Sequence, residues 1–215
     1  MDQNEEETIV GGVMAGIAIA SVALRFYSRH TQKAALKMDD WLILIALLGM
    51  IGIDVISIYA STVYPDGSET ASTESHEYTA DDVQYTKLLF TTSVLYFTIT
   101  ATTKLSILSM YNRLFSASAA FRLQIVILAA LVVSFGVACT LADLLNCVPL
   151  EWAWINSQAD PRYCINFNIF WFAAGICEAF IDVLIIVMPI RVVFLLQFNR
   201  AKKIAVAALF LFGVL

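Results

Sequence analysis

Four ionisable side chains sit inside long apolar runs: Asp54, Lys104, Glu178 and Asp182. Charge in hydrocarbon is costly, so such residues face a bundle interior, a wet cavity or each other, and they mark candidate proton or substrate routes. Their depths follow from the helical rise. Lys104 precedes Tyr111 by seven residues, placing it roughly 10 Å from the inner face. Asp182 precedes Pro189 by the same interval, and Glu178 lies one turn further out on the same face. Asp54 lies roughly 20 Å past Trp41. Matched depth makes Lys104 and Asp182 the expected pair. The alternative is that Lys104 snorkels to the inner interface.

A second group gathers at that interface. Asp39, Asp40 and Trp41 open an apolar run, preceded by Arg25 and Arg29. A carboxylate there can accept bonds from the first-turn N–H groups and favours the positive helix end. Trp41 suits the headgroup layer. Capping accounts for one Asp; the other is available to Arg25 or Arg29, or caps as well.

Cys147 and Cys164 share one loop. If that loop faces an oxidising compartment, a disulfide there closes the loop and contributes on the order of 3 kcal/mol. Cys139 and Cys177 fall within apolar runs and read as packing residues. The two histidines, His30 and His76, lie far apart, and no His/Cys/carboxylate group has metal-ligand spacing. Neither a phosphate-cradling glycine loop nor a nucleophile elbow occurs. The expectation is a protein without a catalytic site, a metal or a cofactor.

The elements that must position these residues are membrane helices. A crossing needs roughly 20 mainly apolar residues. Spans are expected over about 8–26, 41–63, 88–110, 123–145 and 167–194, with a partial sixth over 204–215. The first carries Gly11, Gly12 and Gly16, which would let a neighbour approach closely. The last run is too short to span, so the sequence reads as truncated within a sixth helix. No basic n-region opens the chain, which starts with Asp2, Glu5, Glu6 and Glu7. Composition agrees: 60% of the 215 residues are hydrophobic and only 14% charged, against about a quarter charged in soluble domains.

Orientation follows from the bases. Arg25, Arg29, Lys33 and Lys37, then Arg113 and Arg122, then Arg191, Arg200, Lys202 and Lys203 fall on one side by alternation. That side is expected to be cytoplasmic. Asp66, Glu69, Glu74, Glu77, Asp81 and Asp82 fall on the other, in a polar outer loop from Tyr64 to Asp82. Pro149, Trp152 and Trp154 suggest an ordered cap in the outer loop that holds the two cysteines.

In order and spacing, the segments resemble the fungal rhodopsin-domain family of integral membrane proteins. That family includes pathogenicity-related receptor-like proteins and membrane proteins of mycotoxin clusters such as the satratoxin cluster. Arg25-x-Tyr27-x-Arg29 leads to Asp39-Asp40-Trp41, Lys104-x-Ser106 leads to Tyr111-x-Arg113-x-Phe115, and Cys147-x-Pro149 with Trp154 leads to Cys164. Asp182 then leads to Pro189, Lys202-Lys203 and Gly213. The resemblance implies an all-α, polytopic bundle in a single domain over 1–215. It would have its N-terminus outside and five full spans plus part of a sixth from a seven-helix architecture. It does not imply retinal, because a Schiff-base lysine usually sits on the last helix and Lys104 is on the third.

Two functions compete: a plasma-membrane receptor for an extracellular cue, with an unknown ligand and a cytoplasmic signalling partner, or an auxiliary membrane protein of secondary metabolism. A transporter using Lys104, Asp182 and Glu178 is the third reading, without the inverted repeat that would favour it. The lipid bilayer is the one partner required in every case. Nothing in the sequence points to nucleic acid.

Overall fold

The computed structural model describes residues 3–31, 33, 38–64, 80–114, 119–155 and 164–195. Among them are six helices: α1 (Gln3–Thr31), α2 (Met38–Val63), α3 (Ala80–Leu114), α4 (Ala119–Leu144), the single-turn α5 (Trp152–Ile155) and α6 (Phe167–Leu195). The described residues contain no strand, only an isolated antiparallel bridge between Cys147 and Cys164. The all-α expectation therefore holds.

Helix ends differ from the sequence reading where charge was taken as a stop signal. α1 continues past Phe26 to Thr31, so Arg25 and Arg29 ride on the helix rather than in a loop. α3 begins at Ala80, so Asp81 and Asp82 form its first turn instead of closing the outer loop. Carboxylates in a first turn are favoured by the helix dipole, which explains why these acids extend the helix. At 35 residues α3 is about 52 Å long.

Among the described residues, four segments are long and apolar enough to cross a bilayer: Gly11–Thr31, Met38–Val63, Ala119–Leu144 and Phe167–Pro189. The third expected span, 88–110, lies within α3. It has the length, but Thr91, Thr92, Ser93, Thr98, Thr100, Thr102, Thr103 and Lys104 lower its apolarity. Many of those hydroxyls bond back to the helix, as Thr102 Oγ1 does to Thr98 O at 2.7 Å and Thr103 Oγ1 to Ile99 O at 3.0 Å. This satisfies them without water. The expected partial span 204–215 and most of the acidic outer loop lie outside the described residues.

The chain forms two units, Met1–Phe170 and Trp171–Leu215. In the first, α3 is central: it packs most extensively on α2, then on α4, and touches α5, while α1 packs on α2. Phe97, Leu108 and Val132 are the large apolar side chains most deeply enclosed. Two glycines allow the close approach. A Cβ at Gly49 of α2 would lie 2.8 Å from the Ile99 side chain of α3, and one at Gly136 of α4 would lie 3.0 Å from Ala101 Cβ. Gly11, Gly12 and Gly16, expected to pack closely, have nothing within 4 Å of such a Cβ. In the second unit, Phe172, Ile176, Phe180 and Val183 recur along one side of α6 and are all exposed.

The burial pattern is inverted relative to a soluble protein. Leu123, Val126, Ile127, Val137 and Leu141 face outward on α4, whereas Asp39, Asp40, Lys104, Ser106 and Asp143 are buried. Such broad apolar exposure with polar groups inside is what a lipid solvent demands.

Candidate functional site

The most elaborate polar cluster lies where the last turns of α1 and α3 meet the first turn of α2. Asp39 and Asp40 follow the first residue of α2 and are almost fully enclosed, at 2% and 1% exposure. Arg25 and Arg29 lie one turn apart on α1 and reach them together. Arg25 donates through Nη2 to Asp39 Oδ2 at 2.9 Å and through Nε to Asp40 Oδ1 at 3.1 Å. Arg29 donates through Nη2 to the same Asp39 Oδ2 at 2.8 Å and lies 3.5 Å from Asp40 Oδ1.

The third helix joins through backbone and charge. Ser106 Oγ, fully buried on α3, donates to the Asp39 carbonyl at 2.7 Å. Arg113, in the last turn of α3, places Nη1 at 3.9 Å from Asp39 Oδ2, too far for a hydrogen bond. That nitrogen is buried and has no hydrogen-bond partner. The cluster is thus a charge-assisted clasp across three helices with a surplus cation at its edge. Trp41 is exposed beside it, and Tyr111 precedes Arg113 on α3 by two residues.

At the opposite end of α3 and α4 lies a second polar site. Asp143, one residue before the end of α4, is 0% exposed. Its Oδ2 is 2.6 Å from Ser93 Oγ on α3, and the same hydroxyl lies 2.9 Å from Phe90 O. A hydroxyl has one proton and can donate to only one of these acceptors. Asp143 Oδ1 is buried without a hydrogen-bond partner. Asp143 is not among the residues expected from the sequence, although an Asp inside the expected span 123–145 is a signal that marks it.

Above this site the chain is tied down. Cys147 and Cys164 form a disulfide with Cα atoms 4.1 Å apart. Ile165 N donates to Asn146 O at 2.9 Å alongside it. Lys87 Nζ sits 5.4 Å from the Trp154 ring centroid, and Phe90 meets the same ring edge-on. These contacts fix α5 on α3 through a cation–π and an aromatic interaction. Asn166 then caps α6, its Oδ1 accepting from Ile169 N at 3.2 Å.

The remaining expected residues lie on three helices. Lys104 is buried on α3 at 8% exposure. Asp54 on α2 keeps Oδ2 buried without a hydrogen-bond partner. Glu178 and Asp182 lie one turn apart on α6, in the second unit. Among the described residues no His/Cys/Asp/Glu group could hold a metal ion.

Comparison with known proteins adds the family. The family model of the fungal rhodopsin domain matches residues 24–215. The chain is 28% identical over 206 residues to the polyenoic acids biosynthesis gene cluster protein Ba17b of Metarhizium anisopliae, covering 94% of this chain and 54% of that protein. It is 30% identical over 135 residues to a SAT4 family membrane protein of Emericella nidulans, covering 61% of this chain and 34% of that protein. The chain thus matches about half or less of the length of these relatives. No solved structure matches.

Proposed function

The chain belongs to the fungal rhodopsin-domain family, and on that premise we propose that it is a non-catalytic, receptor-like plasma-membrane protein that senses an extracellular cue. In this reading the N-terminus is outside, α3 is a full crossing despite its hydroxyls, and the architecture continues toward seven helices. The observation that carries it is the clasp of Arg25 and Arg29 on Asp39 and Asp40, with Ser106 and Arg113 from α3. It joins three helices at one end, on the side where the bases cluster. Charge-assisted bonds of this kind hold one packing arrangement and are lost together when the helices shift, which suits a two-state element. At the other end the disulfide-tied cap offers an outward surface for a ligand.

A second reading is an auxiliary membrane protein of secondary metabolism, favoured by the name of the Metarhizium relative, a biosynthesis gene cluster protein. A transporter using Lys104, Glu178 and Asp182 ranks below both. Disruption of the gene in its host separates them. The receptor reading expects a lost transcriptional response to an external cue with an unchanged metabolite profile in uncued culture. An altered profile of one metabolite family in uncued culture, with responses intact, would overturn it in favour of the second reading.

A further inference from the structure

We propose that the outer edge of Arg113 is a binding site for the phosphate of an anionic phospholipid headgroup. The argument begins with charge balance. Asp39 and Asp40 face the three guanidiniums of Arg25, Arg29 and Arg113. Asp39 Oδ2 already accepts two bonds from Arg25 and Arg29, and its backbone carbonyl accepts from Ser106. Arg113 therefore stands in the cluster as a surplus positive charge.

The segments that adjoin Arg25, Arg29 and Arg113 in sequence, 26–38 and 110–122, contain no Asp or Glu. The helix C-terminus around Arg113 supplies partial negative charge but not a counter-ion. Arg113 Nη1 is enclosed on the Asp39 side, so an acceptor from outside the chain would meet only the exposed part of this side chain. Arg113 keeps 30% of its side chain exposed, against 19% for Arg25 and 14% for Arg29, so it is the cation of the three most open to one.

The planar fork of arginine matches phosphate oxygens bidentately. The phosphate belongs to a lipid because of what surrounds the site. Tyr27 and Trp41 are both exposed by more than half beside the clasp, and aromatic residues of this kind rest at the headgroup level. Anionic headgroups there attract juxtamembrane bases. The site stands independently of whether the protein is a receptor.

The test uses the purified full chain in neutral detergent micelles doped with phosphatidylinositol phosphate or with phosphatidylcholine, and separately with inorganic phosphate. Melting is followed by fluorescence size-exclusion. A ligand that binds only the folded state raises the melting temperature. The expected result is a rise of a few degrees with phosphatidylinositol phosphate and none with phosphatidylcholine. Arg113→Gln should lose most of that rise, Arg113→Lys should keep part of it, and a control Arg122→Gln, at an exposed base on α4, should keep it all. An equal rise in Arg113→Gln, or none in the unaltered chain, would overturn the site. An equal rise with inorganic phosphate alone, lost in Arg113→Gln, would overturn the lipid as its source. If Arg113→Gln does not fold, the comparison of Arg113→Lys with Arg122→Gln decides.

Discussion

At the scale of single residues, the buried polar groups matter most because each lacks water as a fallback. Ser93 is the informative case. Replacing it by Ala removes the one partner of Asp143 Oδ2 at a site with 0% exposure. We expect Ser93→Ala to cost about 1–3 kcal/mol. The double change Ser93→Ala with Asp143→Leu should be milder than Ser93→Ala alone, because it leaves no orphaned carboxyl. Asp143→Asn should keep the yield of folded protein, since an amide can both accept from and donate to the Ser93 hydroxyl. Heating followed by fluorescence size-exclusion measures all three; a double change worse than the single one would contradict the account. The sequence made Asp39, Asp40, Arg25 and Arg29 legible as one group, because acids at a helix start beside bases one turn apart are a local pattern. The partners of Ser106 and Asp143 were not legible, although an Asp within the span 123–145 could have been noticed. Their roles depend on which residue of a distant helix stands opposite, and no periodicity within one helix encodes that.

At the scale of elements, two devices hold the first unit together: the clasp at one end and close glycine contacts along its length. Asp39→Asn weakens two charge-assisted bonds at once. The loss is expected on the order of 3 kcal/mol, the scale for breaking a buried pair from one side. It should be read as less heat-resistant protein, with Arg25→Gln smaller because that side chain is partly solvated. Gly136→Val drives a branched side chain into Ala101 of α3 and should cost about 1–3 kcal/mol, while Gly11→Ala, facing open space, should be neutral or slightly favourable. Equal effects at Gly136 and Gly11 would contradict the packing described. Four of the five expected full spans were readable from apolar length, but the boundary residues were misassigned at α1 and α3 because charges there extend helices rather than end them. The pairing of Lys104 with Asp182, proposed from depth, is tested by a double-mutant cycle with Lys104→Met and Asp182→Leu. Coupling is expected, and simple additivity would favour a snorkelling Lys104.

At the scale of the whole molecule, the account rests on an all-helical membrane protein whose two ends differ in chemistry. One end is basic and clasped by ion pairs. The other is acidic and capped by the Cys147–Cys164 disulfide. Composition alone disclosed the membrane, since 14% charged residues cannot cover a soluble body of this length. The two ends follow from the distribution of Lys and Arg, and the receptor-like reading requires that the basic end face the cytoplasm. The most direct measurement is thiol labelling in intact cells. Cys139 and Cys177, the free cysteines, are replaced by Ala, the disulfide is kept, and one new cysteine is introduced at Ser68 or at Thr31. A membrane-impermeant maleimide should label Ser68→Cys from outside and reach Thr31→Cys only after permeabilisation. Labelling of Thr31→Cys in intact cells, with Ser68→Cys protected, would place the clasp outside and contradict the account.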